Sequence, residues 1–385
     1  MWFLSFLFLI ATGFLGWTLF GYFILIWIMG LFRNRPTLKT PVVFPKLSII
    51  IPCFNEEAGI LAKLENLRSL DYPKDAIEAV FADGGSTDAT VALLERALDP
   101  HEPFRLIRCA RGGKINQINE VLPQLTGEII INTDVDAILD EDALRWIAIE
   151  FNASPRIGVV GAYCRPGEGL DIEDYYWASQ NKARFLENDA ETASIVLASC
   201  YAFRRDLLSA FPENVVADDV YIAFLSNTMG MTVVFSRQAR AVETRSPKNI
   251  SEFLPHKFRK GNAFLRESLR FLYRLPEMPF FVKMIFLTRI SQQLLLPMTI
   301  FFWFLIAAST TTLFHFDIVF TAIAFLCTLF VATSRVFAQV ALPEPPKHYP
   351  LPTIIRGYIL TFFILLANGF SYPFYHQGSN YDRIS

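Results

Sequence analysis

Apolar and polar positions divide the chain into three regimes. From Trp2 to Phe32 nearly every position is apolar, and no charged side chain precedes Arg33. That run exceeds the roughly 20 residues that cross a bilayer as a helix, so residues 1–32 are expected to form an uncleaved N-terminal transmembrane helix. From about Lys46 to Arg245 short apolar runs alternate with segments of helical spacing. Beyond that, long uncharged stretches return: Ile290 to Phe314, Ile318 to Ser334 with an extension past Arg335 from Val336 to Leu342, and Gly357 to Tyr375. These predict three C-terminal spans within residues 290–376 and about four spans in all. Between the two regions, "EMPFFVKMIFLTRI" mixes Lys283 and Arg289 into apolar sequence. That pattern suits helices lying in the membrane interface, assigned to residues 249–289.

The middle region, residues 45–248, reads as strand alternating with helix. "LSIIIP", "AIEAVFAD", "FRLIRCA" and "EIIINTD" are the strand candidates. In "EAGILAKLENLRSL", Ile60, Leu61, Leu64, Leu67 and Leu70 share a helical face. "STDATVALLERAL" repeats that pattern with Val91, Leu94 and Leu98, and Ser86 is the expected N-cap. Such alternation predicts an α/β, Rossmann-like domain with a mostly parallel sheet and helices on both faces. Ligands of such sheets bind beyond the carboxyl ends of the strands. Acids fall at three of those ends: Glu56 with Glu57, Asp83, and Asp134 with Asp136.

Composition agrees with the membrane regime. Apolar residues make up 52% of the 385 positions, 37 of them Phe, and mean hydropathy is +0.33, too high for an ordinary soluble domain. A formal net charge of −2 argues against a nucleic-acid partner. The five cysteines are scattered without a CxxC pair, as suits free thiols in a reducing compartment. Basic residues set the orientation. Arg33, Arg35 and Lys39 follow the first span, Lys283 and Arg289 precede the second, and Arg335, Lys347 and Arg356 flank the link between the last two. The opposite side carries only His315, Asp317 and a tail with Asp382 and Arg383. The middle domain is therefore expected in the cytoplasm, in a multi-pass protein of a bacterial inner membrane.

Two carboxylates one residue apart project to the same side of an extended segment. Asp134 and Asp136 could share a divalent cation, Mg²⁺ or Mn²⁺, completed by phosphates, and the ribose of a sugar nucleotide. The alternative is a solvated turn of helix-capping acids, since Asp140, Glu141 and Asp142 follow. The apolar strand before the pair, and the acids at the other strand ends, favour the cation.

"IIPCFNEE", "ADGGSTDAT", "RGGKINQIN", "TDVDA" and "VVADDVYIAF" stand in the order and rough spacing of the family 2 glycosyltransferases of GT-A fold, and from Lys46 to about Arg270 the chain resembles them. The flanking spans resemble those of membrane-integrated members. The resemblance implies a donor nucleotide site of Pro52, Asn55, Glu56, Asp83, Lys114 and Asp134, with Asp83 at the base and Lys114 near the diphosphate. It implies Asp136 as metal ligand and Asp219 as general base, with Asp218 where members more often carry Glu. "SCYAFRRD" resembles the segment lining the acceptor side. Members that build polymers carry QxxRW after the base. Here "HKFRK" puts His256 for Gln, keeps Arg259, and puts Lys260 for Trp, so the aromatic face under an acceptor sugar is missing from that position. The basic cluster His256, Lys257, Arg259 and Lys260 could hold the donor diphosphate or an anionic acceptor head, or meet anionic lipid at the interface.

The expected function is inverting transfer of a sugar, from a UDP sugar or related donor, to a lipid, lipid-linked or glycan acceptor at the cytoplasmic membrane face. The alternatives are a processive polysaccharide synthase of chitin, poly-GlcNAc or cellulose type, and a nucleotide-binding membrane scaffold without activity.

Overall fold

The computed structural model describes residues 2–34, 36–312, 316–345 and 347–375. Arg35, His315, Asp382 and Arg383 of the charge pattern lie outside these. An eight-stranded sheet is built from β1 (Leu47–Cys53), β2 (Ile77–Asp83), β3 (Phe104–Arg108), β4 (Ile129–Thr133), β5 (Ala137–Leu139), β6 (Ile157–Pro166), β7 (Cys200–Arg204) and β8 (Thr232–Glu243), in the order β3-β2-β1-β4-β7-β6-β8-β5. Pairing is parallel from β3 through β4 and between β6 and β8. It is antiparallel where β7 enters between β4 and β6, and at the β5 edge.

The helices of this domain are α3 (Ile60–Ser69), α4 (Thr90–Ala97), α5 (Lys114–Val121), α6 (Ala143–Ala153), α7 (Asp171–Ala190), α8 (Asp218–Thr228) and α9 (Ile250–Arg270). They follow α1 (Trp2–Gly16) and α2 (Tyr22–Phe32), joined through a π-helical stretch, Trp17–Gly21, and precede α10 (Phe280–Leu294), α11 (Leu296–Thr312), α12 (Phe316–Gln339) and α13 (Leu351–Ser371). Among the described residues three helices are long and apolar enough to cross a membrane: Phe3–Phe32, Phe316–Gln339 and Leu351–Ser371. Helices α10 and α11 meet at 60° and make a fourth if taken as one broken span. Lys283 and Arg289 lie in α10, before the bend.

One local expectation fails. Ser86 does not cap α4, which starts at Thr90. Its hydroxyl instead donates to Asp83 Oδ1 at 2.5 Å, while Asp88 Oδ1 accepts from the Thr90 N–H at 3.0 Å. The carboxylate two residues before the helix outcompetes the more distant hydroxyl, and Ser86 is left to brace the turn.

The sheet opens where the chemistry is expected. All seven residues of β1 are buried. Pairing of β1 with β4 ends at Ile50 and Asn132, whereas pairing with β2 continues to Cys53 and Asp83. Pro52 has no N–H to extend a ladder, so β1 and β4 part there and leave a crevice at their carboxyl ends.

The core does not stop at the domain boundary. A single buried cluster runs from Ile49, Val80 and Ile131 of the sheet to Tyr22 and Ile26 of α2, Phe281 and Ile285 of α10, and Val336 of α12. One carboxylate ties these parts. Glu187 on α7 is fully buried. It accepts from Tyr22 Oη at 2.7 Å, Arg289 Nε at 2.6 Å, and the Ser194 N–H and hydroxyl at 2.9 and 2.6 Å. Glu187→Ala would strand the Arg289 charge and two hydroxyls. It is expected to cost roughly 3–5 kcal/mol, read as a lowered unfolding temperature of the full chain in detergent. An unchanged midpoint would show that the bridge does not hold the helices to the domain.

Candidate active site

The crevice deepens into a cavity of about 760 Å³. Pro52, Glu56, Lys114, Asp134, Asp136, Asp218 and Asp219 line one part of it, and His256, Arg259 and Lys260 of α9 another. All these sequence-derived residues are thus brought together. Asn55 and Asp83 are not in the lining. Asp83 is buried at the end of β2 and accepts from the Gly85 and Ser86 N–H groups at 3.0 and 3.2 Å. Gly85, with φ +91°, makes that turn. Asn55 Oδ1 accepts from the Thr87 N–H at 2.8 Å, clasping the loop after β1 to the loop after β2. Both residues therefore shape the rim. "SCYAFRRD" also divides: Ser199 reaches the cavity, Cys200–Arg204 form β7 within the sheet, and Arg205 and Asp206 lie in the 3-10 turn that follows it.

The Asp134–Asp136 segment is held from below by a buried cation. Lys63 of α3 is fully buried, and its Nζ donates to Thr133 Oγ1 at 2.9 Å and the Ala137 carbonyl at 2.5 Å. These contacts bracket the acid pair at both ends. Burial pulls Lys63 down to about 8. Asp134 receives Lys114 Nζ at 2.8 Å, and Lys114 sits at the start of α5, opened by Gly113 with φ +101°. Asp136 faces Arg245, whose Nε is 3.4 Å from Oδ2, and the same guanidinium pairs with Glu56. Burial, with Asp134 and Glu243 nearby, pushes Asp136 up to about 6.

Asp218 and Asp219 open α8. Asp218 is buried and held through one oxygen: its Oδ2 accepts from Tyr201 Oη at 2.7 Å and Asn132 Nδ2 at 3.3 Å, and Lys114 Nζ is 3.2 Å away. Asp219 is half-buried and accepts from the Ala198 and Val220 N–H groups at 3.2 and 3.0 Å. Loss of water and the neighbouring Asp218 carboxylate push it up to about 6. A carboxylate tuned toward neutrality and facing a cavity suits proton abstraction.

Among the described residues no three His, Cys, Asp or Glu converge as a protein-only metal cage. The donor set nevertheless fits a hard divalent ion completed by phosphate oxygens. Arg245 already stands as a cation against Asp136 and Glu56, so the site is built to face positive charge. Asp136 would hold such an ion, with Asp134 beside it.

Four contributions escaped sequence reasoning. Lys63 and Arg245 come from distant segments with no local signature, and Tyr201, inside "SCYAFRRD", serves to hold Asp218. Trp177 of α7 also lines the cavity, and Lys260 Nζ lies 5.2 Å from its ring centre. An aromatic face is therefore present beside Lys260, supplied by another helix. Lys257 does not face solvent lipid: it is buried and paired with Glu173 at 2.7 Å.

Residues 48–211 match the model of the family described as Glycosyl transferase family 2. A β-monoglucosyldiacylglycerol synthase of Synechocystis sp. is 36% identical over 122 residues, 31% of this chain and 25% of that protein. An N-acetylglucosaminyltransferase of Bradyrhizobium diazoefficiens is 25% identical over 262 residues, 62% of this chain and 53% of that protein. The chain thus spans a quarter to about half the length of these relatives. A mannosyltransferase of Pyrobaculum calidifontis, solved with GDP-Man and Mn²⁺, superposes with a TM-score of 0.70 over 96% of this chain and 99% of its own, at 22% identity. At that identity the likeness is one of fold. Motifs, sheet topology and these matches agree that residues 48–211 belong to a family 2 glycosyltransferase domain of GT-A fold.

Proposed function

We propose that the chain transfers a sugar from a nucleotide sugar to a lipid or lipid-linked acceptor at the cytoplasmic face of a membrane, inverting the anomeric centre. The observation that carries this reading is the continuity of the cavity. Its lining runs from Asp134, Asp136 and Asp219 to Ile364 and Leu365 of α13, one of the helices able to cross a membrane. A donor could enter at the sheet crevice and an acceptor from the bilayer, and both would meet at Asp219. The partial likeness to a protein named for glycosylating a diacylglycerol lipid points the same way.

In this reading Asp219 takes the proton of the acceptor hydroxyl as its oxygen attacks the anomeric carbon from the face opposite the diphosphate. The bond to the diphosphate breaks in the same step. Lys114 faces the growing negative charge on the leaving group. A Mg²⁺ or Mn²⁺ ion at Asp136 would supply further positive charge there. Asp218, fixed by Tyr201 and Asn132, orients Lys114. A polysaccharide synthase is the second reading, favoured by Trp177, whose ring could carry an acceptor sugar. Supplying the full chain in lipid with labelled UDP and GDP sugars and Mn²⁺ separates the two. Label in a small organic-soluble product supports the lipid acceptor, and label in a large water-soluble polymer supports the synthase.

Two predictions follow from the charges. As a base Asp219 must be deprotonated, and its upward shift to about 6 places its loss of function on the acid side. kcat/KM should be level at neutral pH and fall about tenfold per unit below about pH 6. Asp219→Asn should lower it by roughly 10²–10⁴ at neutral pH. A profile level to about pH 4.5, or full activity of Asp219→Asn, would remove Asp219 from the role. Arg245→Gln takes away the cation beside Asp136. Mn²⁺ binding without nucleotide, followed by electron paramagnetic resonance, should tighten by roughly tenfold, the order of one charged contact. Unchanged or weaker binding would show that Arg245 does not compete at Asp136.

A further inference from the structure

Helix α7 runs between the sheet and the membrane helices, packing on α2 and α13. Its residues Tyr176, Trp177, Gln180 and Arg184 follow helical spacing and line the cavity together. Arg184 is the anomaly. It is buried, 7% exposed. Its Nη1 donates to Asn181 Oδ1 at 2.9 Å, and its guanidinium carbon lies 5.7 Å from the Phe235 ring centre. Its Nε has no partner. No ion pair with a carboxylate is formed by Arg184 among the described residues. The acid best placed to serve it, Glu187 one turn along α7, is taken by Arg289, Tyr22 and Ser194.

A buried cation without a counter-charge is costly. Lys114 pairs with Asp134, Arg245 with Glu56 and Lys257 with Glu173, and Lys63 is met by the Thr133 hydroxyl and the Ala137 carbonyl, whereas the Arg184 Nε meets nothing. Burial pulls Arg184 down to about 10, against the opposing pull of the more distant Glu187 and Asp219. Two further polar atoms of the lining are left without partners, His256 Nδ1 and Gln293 Oε1. His256 is held neutral by burial and the cations beside it, so its orphaned ring nitrogen can donate to or accept from a ligand at no charge cost. Ile364 and Leu365 supply the apolar wall.

We propose that this part of the cavity is an anion site for the phosphate of a membrane lipid, with Arg184 as its guanidinium and Ile364 and Leu365 along the start of the lipid chain. The inference rests on the lipid-acceptor reading and narrows it: the acceptor carries a phosphate beside the oxygen that receives the sugar. A planar guanidinium matches phosphate oxygens in pairs. In the donor crevice five acids, Glu56, Asp134, Asp136, Asp218 and Asp219, already engage Lys114 and Arg245, so the cation left without a carboxylate lies on the α7 side.

The test uses two lipids that differ only in the phosphate, dioctanoyl phosphatidic acid and dioctanoylglycerol, bound to the full chain in neutral detergent and measured by calorimetry. UDP and GDP are titrated into the same samples. The wild type should bind the phosphatidic acid roughly 10- to 100-fold more tightly than the neutral lipid, the range for a charged hydrogen bond. Arg184→Gln should abolish that preference, and Arg184→Lys should keep part of it, with nucleotide binding unchanged in both. Equal binding of the two lipids by the wild type would overturn the site, whether or not the variants fold. So would a preference that survives Arg184→Gln. A loss of nucleotide binding in Arg184→Gln would assign the phosphate to the donor and overturn it also. Nucleotide binding without phosphate preference breaks this inference alone. Arg184-dependent phosphatidic acid binding by a wild type that takes no nucleotide breaks the proposed transfer and leaves the site standing.

Discussion

Glu187 is the constraint on which the arrangement depends. A fully buried carboxylate is tolerated only with donors around it, and here the donors come from three bodies: Tyr22 of α2, Arg289 of α10, and Ser194 on the segment that leads into β7. Forming that node fixes where α7 stands between sheet and membrane helices. It also positions the stretch after Ser194, whose Ala198 N–H donates to Asp219. The same node explains the state of Arg184. With Glu187 saturated, the nearest cation on α7 is left facing the cavity without an acid, so structural support and ligand demand come from one residue's choice of partners.

The donor crevice works by a related balance. Asp134, Asp136, Asp218, Asp219 and Glu56 would repel one another strongly in so small a volume. Lys114 and Arg245 hold them apart from the cavity side, and Lys63 does so from beneath. The division of labour within the second acid pair follows from geometry. Asp218 is buried behind Tyr201 and Asn132 and stays a fixed acceptor. Asp219, one residue on and half-exposed, keeps a face toward the cavity and is the one left to handle a proton. Two adjacent aspartates thereby acquire different tasks without any difference in chemistry.

What could be read from the chain alone was whatever depends on local period. The strands before Pro52, Asp83 and Asp134 were legible because buried parallel strands are short, apolar and end at turns, and the acids at their ends then fell into place. The long apolar helices were legible for the same reason. Lys63, Arg245, Arg184 and Glu187 were not. Each is an ordinary charge on a helix face or near a strand end whose meaning comes from a partner more than sixty residues away or, for Arg184, from the lack of a carboxylate. Ser86 was misjudged because Asp88, closer to the helix start, offered a stronger acceptor. The missing aromatic at Lys260 was a true reading of α9 that could not foresee Trp177 arriving from α7.

That arrival changes what Lys260 can mean. A lysine in place of an aromatic residue would, by itself, remove a stacking surface from the acceptor path. With its ammonium 5.2 Å from the Trp177 ring centre and 3.9 Å from Glu243, Lys260 instead lies as a cover over an aromatic face that persists. The ring is attractive to the cation because its face carries negative charge, and Glu243 adds a second hold. A sugar could stack on Trp177 only by displacing this charge, which has to find another anion. A phosphate-bearing acceptor would bring one with it, and a neutral glycan would not. The contact between Lys260 and Trp177 therefore favours the anionic lipid over the growing polymer on grounds separate from Arg184.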